Sequence, residues 1–282
     1  MQDQSAEMQL CFNEELSHFF PDFRHRGQVL DGYTYGSIVS AETPAQIKSL
    51  KTALKDGQSF FAAPANFSPK ACFFDMDATV IHEESIVVLA EAAGKGPEVD
   101  RITEEAMCGR IDFTEALEAR VATLEGLPNS VFQEALEKIT LQPGIEALTN
   151  WLHQQNIPCY LVSGGFHQLA DPVGKKLGFA GVRANNLETK SNHLTGRVYG
   201  PIIDGEAKAA YLRELKREKN WQKNDLMAVG DGANDCAMMK EVMLGVGFHP
   251  KPALVPELTG INRSGTHVLM IEYLKSLSSA KP

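Results

Sequence analysis

Apolar positions along the chain follow two rhythms. Residues 71–74 (ACFF), 159–162 (CYLV) and 226–229 (LMAV) are short continuous apolar runs, each cut off by a polar or glycine-rich turn, and they read as buried strands. Between them the spacing becomes helical, with Ile145, Leu148 and Leu152 after Pro143-Gly144, then Leu169, Val173 and Leu177 after the second run. Strands alternating with helices predict a parallel α/β sheet. Such sheets bind ligands beyond the carboxyl ends of their strands, and here those ends carry Asp75, Ser163 and Asp231. The three turns are expected to converge on one site.

More chain separates the first two strands than one crossover helix requires. Residues 86–141 read as an inserted helical cap, with Val99, Ile102 and Ala106 on one helical face and Phe113, Leu117, Arg120 and Leu124 on another. The core is then residues 69–85 and 142–282. Within it, residues 193–203 hold two β-prone runs around Gly196 and Gly200, which predict a hairpin. Residues 1–68 read as a small amino-terminal α+β segment of unassigned role. Thr43 caps a helix there with Pro44 behind it, Ile47, Leu50 and Leu54 share one face, and residues 33–41 and 58–63 look strand-like.

With 43% hydrophobic and 22% charged residues over 282 positions, the chain is an ordinary globular one, long enough for two units or one domain with an insertion. Its 27 basic and 36 acidic residues give a formal charge of −9, which offers nucleic acid and anionic lipid no general attraction. No apolar run is long enough to span a bilayer, and the first residues, MQDQSAEMQL, lack the layout of a signal peptide. The cytoplasm is the expected compartment. Cys11, Cys72, Cys108, Cys159 and Cys236 are scattered without CxxC spacing, so neither disulfides nor a zinc site is expected.

The candidate chemistry begins in FFDMDATVI. Asp75 and Asp77 stand two apart where a strand ends, so an extended backbone sends both carboxylates to one side. Adjacent carboxylates repel unless a cation or a shared proton separates them. Magnesium held by carboxylate oxygen answers that need, and so does a pair in which one carboxylate attacks while its neighbour carries a proton. A solvated aspartate-rich turn has the same sequence, so the pair gains meaning from company. GDGAND, residues 230–235, follows the third strand with Asp231 placed as a metal ligand and Asp235 behind it. SGGF, residues 163–166, ends the second strand, where a hydroxyl and the Gly164 and Gly165 amides at a helix start can hold phosphate oxygens. Lys208 by itself reads as a surface lysine. Arg120, two helical turns after Phe113, brings a cation into an apolar stripe. It needs an anion there unless it snorkels past its neighbours or pairs with a cap glutamate.

Taken in order, Asp75-Met-Asp77-Ala-Thr79, Ser163-Gly-Gly, Lys208 and Gly-Asp231-Gly-Ala-Asn234-Asp235 resemble the four motifs of haloacid dehalogenase-like phosphatases. Glu84, the run ITEEAMCGRIDF over residues 102–113, and Leu117-Glu-Ala-Arg120-Val are similar to the cap signature of the phosphoserine phosphatases among them. The resemblance implies a Rossmann-like core with a helical cap inserted after the first motif. It also implies hydrolysis of O-phospho-L-serine through an aspartyl-phosphate, the last step of serine biosynthesis. Asp75 is then the nucleophile, and Asp77 the general acid and later base. Magnesium is implied on an Asp75 oxygen, the Asp77 carbonyl and Asp231, with Asn234 and Asp235 ordering its surroundings. Thr79, Ser163, Gly164 and Lys208 fall on the phosphoryl oxygens. Glu84 falls on the substrate ammonium and Arg120 on its carboxylate, while Met107 and Phe113 shield the closed site. Ala78 in place of the usual serine, Pro250 in Pro250-Lys251-Pro252, and Cys236 are departures that leave these roles untouched.

Two other readings stand beside this one. One is a phosphatase or phosphotransferase for another small amino-bearing phosphate, such as phosphohomoserine or histidinol phosphate; Glu84 with Arg120 favours an amino acid. The other is a receiver-like phosphoacceptor module, against which stand the second aspartate and the cap. A transport ATPase that forms aspartyl-phosphate is excluded by the lack of membrane spans. The sequence carries no signal of oligomeric state.

Overall fold

The computed structural model describes residues 7–30, 32–38, 43–107 and 111–279, without the side chains of Val29, Leu30, Glu104, Ala106, Met107 and Ser279. Cys108 and residues 39–41 therefore lie outside the described residues. In chain order the elements are β1 (Met8–Asn13), β2 (Arg24–Leu30), β3 (Tyr33–Ile38), α1 (Thr43–Ala53), β4 (Phe60–Pro64) and β5 (Ala71–Phe74). Four helices follow, α2 (Ser85–Ala92), α3 (Gly96–Met107), α4 (Phe113–Ala122) and α5 (Ser130–Lys138), and then α6 (Ile145–Gln154). The chain continues through β6 (Cys159–Phe166), α7 (His167–Lys176), β7 (Gly181–Lys190), β8 (His193–Tyr199), α8 (Gly205–Lys219) and β9 (Leu226–Gly230). It closes with α9 (Cys236–Lys240), β10 (Leu244–Phe248), β11 (Gly260–Asn262) and α10 (Val268–Ser279).

Every residue of β5 is buried, because the strand lies inside a sheet covered on both faces. Successive side chains alternate between those faces. Cys72 and Phe74 join Phe61, Leu148, Leu161 and Tyr273 on one side, and Phe73 joins Phe12, Phe60, Leu212 and Met238 on the other. The sheet runs β2-β3-β1-β4-β11-β10-β9-β5-β6-β7-β8, and its strands from β11 to β7 pair in parallel, as the alternation of strand and helix predicts. After β5 the chain crosses first to β6 on one flank and later to β9 on the other. Strand order reverses there, which opens a crevice at the carboxyl ends of β5, β6 and β9.

The amino-terminal α+β segment is present and continues this same sheet. Strand β4 pairs antiparallel with β11, Phe61 opposite Gly260. The Tyr273 hydroxyl of α10 donates to the Gln9 carbonyl (3.0 Å), and its ring stacks on Phe61 at 5.1 Å. The helix expected after Thr43 begins at Thr43 itself. Strands β1 and β2 escape a reading by periodicity, since β1 buries four consecutive residues and β2 shifts register twice against β3. The hairpin expected within residues 193–203 instead joins β7 to β8, with Lys190 opposite His193. Its two-residue turn is Ser191-Asn192, at φ +50° and +63°, the backbone that matches strand twist in a tight hairpin. Gly196 takes its positive φ inside β8, where the chain does not reverse.

Helices α2 to α5 form the inserted body. Asp112 and Glu115 close a capping box at the start of α4, and Leu89, Val99, Leu117, Val121 and Val131 pack with Phe166 and Leu169 of the core. The cysteines described, Cys11, Cys72, Cys159 and Cys236, are free thiols. Among the described residues no helix is long and apolar enough to cross a membrane.

The far end of the chain supports the loop after β5 from behind. Fully buried His267 donates from Nε2 to the Thr79 carbonyl (2.9 Å) and stacks on Phe248 at 4.0 Å. Burial pulls its imidazole down from 6.5 to about 4, the Thr79 bond opposing and His249 adding to the fall. Between those two values the unfolded chain takes up a proton that the folded protein refuses, so folding stability drops as the pH falls through this window. At about 1.4 kcal/mol per unit, wild type is expected to lose up to about 3 kcal/mol at pH 4 for this group. His267→Gln removes that contribution. Urea unfolding of both proteins at pH 7 and pH 4.5 should show the stability gap narrowing in acid, and parallel pH profiles would refute the assignment.

Candidate active site

The reactive loop begins where β5 stops. The Asp75 N–H donates to the Val229 carbonyl (2.9 Å), which extends the ladder by one residue and buries the side chain. The backbone then turns away, with Ala78 in the left-handed region at φ +54°. Gln142 donates to the Ala78 carbonyl (3.3 Å), so the turn is tied from across the cap entrance. Strand β5 ends at Phe74, and beyond it Asp75 and Asp77 take different hydrogen-bond partners. Asp75 groups with Asp231 and Asp235, their carboxylate oxygens lying within 4.8 Å of one another. Asp77 stands outside that group: its Oδ2 accepts from the Ser85 hydroxyl (2.8 Å), and its Oδ1 is buried without a partner.

Asp235 is fully buried, and both its oxygens are engaged. Oδ2 accepts the N–H groups of Asp231 (3.1 Å) and Gly232 (3.2 Å), while Oδ1 accepts from Lys208 (2.8 Å). Gly230 carries no side chain because the Asp235 carboxylate fills the place its Cβ would take. Lys208 sits in the first turn of α8, which is capped by Asp204, whose carboxylate accepts the Ala207 N–H (2.8 Å). Far from the surface position its sequence context suggests, Lys208 is fully buried, with Nζ 2.7 Å from Asp75 Oδ1.

These groups set one another's charge. Burial would lower the Lys208 ammonium, but the Asp235 and Asp75 carboxylates outweigh it and hold Lys208 above its usual range. Burial and the neighbouring Asp235 push the Asp75 carboxyl well up, with Lys208 pulling back. Asp77 is pushed up to about 7 by burial and by Glu84, against the Ser85 hydrogen bond. Asp231 is raised by burial, and Lys251 opposes the rise.

On the second strand, Ser163 is buried and its Oγ accepts the Gly165 N–H (2.9 Å). The expected turn at a helix start is instead a bulged continuation of β6 through Phe166, with α7 beginning at His167. The Gly165 amide is therefore spent on Ser163. A side chain at Gly165 would overlap the Ser85 hydroxyl that binds Asp77.

The cap adds its own groups. A methyl at Gly164 would lie 3.4 Å from Phe113 Cζ, so this partly exposed ring covers the Ser163-Gly164 edge of the crevice. Half-buried Arg120 donates Nε to the Ala116 carbonyl (3.1 Å), and among the described residues it makes no ion pair. Burial lowers its guanidinium while Glu84 and Asp77 raise it. The anion that a guanidinium here requires is not supplied by a carboxylate in contact. Glu84 precedes α2 and lies 3.6 Å from Lys251 Nζ. Buried Thr79 has a hydroxyl without a partner, and Asn234 packs its backbone against Gly205 at the start of α8. The Met107 side chain lies outside the described residues.

Two residues given no role by the sequence reading stand in the site. Lys251, set aside there with its flanking prolines, places Nζ 3.0 Å from Asp231 Oδ2 and donates its N–H to the Asp231 carbonyl (2.8 Å). Only the position of β10, ending three residues earlier beside β9, signals its place. Ser85 carries no motif signal at all.

The family model for haloacid dehalogenase-like hydrolases matches residues 72–240. The chain is 43% identical over 178 residues to the phosphoserine phosphatase of Streptococcus thermophilus, covering 63% of this chain and 83% of that protein. It is 38% identical over 246 residues to a probable phosphoserine phosphatase of Schizosaccharomyces pombe, covering 85% and 82%. A substrate-bound phosphoserine phosphatase structure superposes with a TM-score of 0.69 at 32% identity, over 73% of this chain and 98% of that one. Because the family match opens inside β5 and closes beyond Asp235, it takes in each motif turn that meets in the crevice, and the chain belongs to the haloacid dehalogenase-like hydrolases.

Proposed function

We propose that the protein hydrolyses O-phospho-L-serine to serine and phosphate, the closing step of serine biosynthesis, through an aspartyl-phosphate on Asp75. One observation carries the reading. Arg120, a half-buried cap guanidinium that makes no ion pair among the described residues, feels the charges of Asp77 and Glu84, and two positions before Asp77 stands a buried carboxylate, Asp75, that is held by a buried lysine. A substrate with a phosphoryl group at one end and an amino-acid carboxylate at the other answers both demands.

In the first step Asp75 attacks phosphorus through the oxygen that Lys208 leaves free, and the bond from phosphorus to the serine oxygen breaks. Asp77, kept protonated towards neutral pH by burial and Glu84, gives its proton to that leaving oxygen from the unpartnered Oδ1. Water then attacks phosphorus, Asp77 takes a proton from it, and Asp75 is released as the carboxylate with free phosphate. Thr79, Ser163, Gly164 and Lys208 hold the phosphoryl oxygens; the partnerless Thr79 hydroxyl supports that role. Glu84 takes the ammonium, Arg120 the carboxylate, and Phe113 with Met107 keeps water out. Residues 69–85 and 142–282 carry the chemistry and, through Glu84, part of the recognition; residues 86–141 supply the rest of it, and the strands described within residues 1–68 widen the sheet.

The donor set fits magnesium. Asp75 and Asp231 offer buried, hard carboxylate oxygens, which together with the Asp77 carbonyl would hold the ion. Asp235, whose oxygens are already engaged, orders these ligands along with Asn234. When bound, magnesium supplies the positive charge that lets a phosphate dianion approach these carboxylates.

Excess chelator should abolish phosphate release and added magnesium should restore it, with calcium a poor substitute because its coordination is larger and looser. Undiminished turnover in chelator would overturn the mechanism.

Asp75→Asn should abolish turnover, since an amide cannot form the acyl-phosphate, whereas Asp77→Asn should still phosphorylate slowly and release phosphate poorly. Rapid-quench burst measurements separate the two. Near-normal turnover by Asp75→Asn would move the nucleophile elsewhere.

Substrate identity is tested in the cap. Arg120→Ala should cost roughly 2 to 5 kcal/mol in kcat/KM for phosphoserine, the usual penalty for removing one partner of a buried charge pair. Phosphoethanolamine, which lacks the carboxylate, should be a poor substrate for wild type and lose little more in the variant. Glu84→Gln should weaken esters that carry an amine and spare those without one. If Arg120→Ala harmed both esters equally, the arginine would be holding the cap together, and the substrate would fall back to another small phosphate ester.

A further inference from the structure

A break in the ladder between β6 and β7 sits beside the proposed phosphoryl site. Val162 pairs with Arg183, and the next pair is Phe166 with Asn185. Residues 163, 164 and 165 thus face residue 184 alone, and β6 carries two more residues than its partner. Such a bulge leaves backbone groups without ladder partners. On the β7 side, the Ala184 N–H finds His167 Nε2 (3.3 Å). On the β6 side, the Gly164 carbonyl finds the Nδ2 of Asn185 (2.8 Å).

Asn185 is fully buried and its other end is also engaged, with Oδ1 accepting the Ile203 N–H (2.8 Å). A carbonyl at one end and an N–H at the other leave one orientation of the amide. Ile203 directly precedes Asp204, the cap of the helix that presents Lys208. One side chain therefore joins the Ser163-Gly164 bulge to the segment that leads to the buried lysine.

The link reaches Ser163 through a single rigid unit. The Gly164 carbonyl and the Gly165 N–H belong to one planar trans peptide, so they point in opposite directions. With the carbonyl pinned by Asn185, the Gly165 N–H is aimed at Ser163 Oγ, which accepts it (2.9 Å). A serine oxygen that accepts this bond keeps its own proton to donate. We propose that Asn185 is a positioning residue, which orients the Ser163 hydroxyl towards the phosphoryl oxygen through the Gly164–Gly165 peptide. The inference rests on the reading of Ser163 as a phosphoryl ligand.

The test is a double-mutant cycle. Asn185→Asp keeps the size and the bond from Ile203 but sets an oxygen against the Gly164 carbonyl. Asn185→Ser is too short to span both groups, and it carries the cycle if Asn185→Asp does not fold. Each is made with Ser163 intact and with Ser163→Ala. The readouts are kcat/KM for phosphoserine and calorimetric binding of inorganic phosphate with magnesium present, which stays informative if the ester assignment is wrong. With Ser163 intact, each change should lower both quantities roughly 10- to 100-fold; with Ser163→Ala the further loss should be under about threefold, as expected for residues acting as a unit. Equal losses in the two backgrounds, or none in either, would overturn the proposal. Unaltered phosphate affinity in Ser163→Ala would instead remove the reading of Ser163, and the proposal with it.

Discussion

Three carboxylates sharing a buried pocket repel unless positive charge or a proton separates them, and Lys208 is the buried charge this fold provides, with Lys251 beside Asp231 at the edge. The Lys208 ammonium contacts Asp75 and Asp235 at 2.7 and 2.8 Å, with none of the three exposed to more than a trace of solvent. Desolvating such ions costs several kcal/mol each, so the arrangement stands only because every partner is in place. It fastens together the ends of two strands and the first turn of α8. The Asp204 cap, the tight approach at Gly230 and the amides on Asp235 all serve to bring that lysine to that spot. On the proposed reading, Lys208 keeps its hold on one Asp75 oxygen while the other meets phosphorus.

The core and the inserted helices touch at two places. Ile81 and Leu141 bridge where the chain enters and leaves the cap, and a second attachment lies at the opposite end. There the Gly126 N–H binds the Leu194 carbonyl, and the Asn129 N–H binds the Asn192 carbonyl of the β7–β8 turn. The strand that carries Asn185 thus runs from the Ser163-Gly164 edge of the crevice to the hairpin on which the cap rests.

Motifs and strand runs made much of this molecule readable beforehand. The three apolar runs, the parallel sheet and the convergence of Asp75, Ser163 and Asp231 need only local chemistry and the rule that ligands meet strand ends. What escaped was set by tertiary context. No pattern around Lys208 announces burial, because its partners lie 133 and 27 positions away. The SGGF turn became a strand bulge, since pairing with β7 overrode the glycine signal. Lys251 and Asn185 act through contacts that only the sheet order creates. The hairpin moved because Ser191 and Asn192 adopt the positive φ for which glycine is the more familiar signal.

The pairing of β4 with β11 carries a consequence for how the molecule is made. The Arg263 N–H reaches Ser59 Oγ across 204 positions of sequence, and β11 has only three residues with which to hold both β10 and β4. A chain emerging from the ribosome completes β4 long before its neighbour exists. During that interval the first strands present an open edge, the feature that other extended chains most readily capture. Closure waits for nearly the last element, a long-range step that topology makes slow, so the period between synthesis of these two strands is when the protein is most exposed to aggregation.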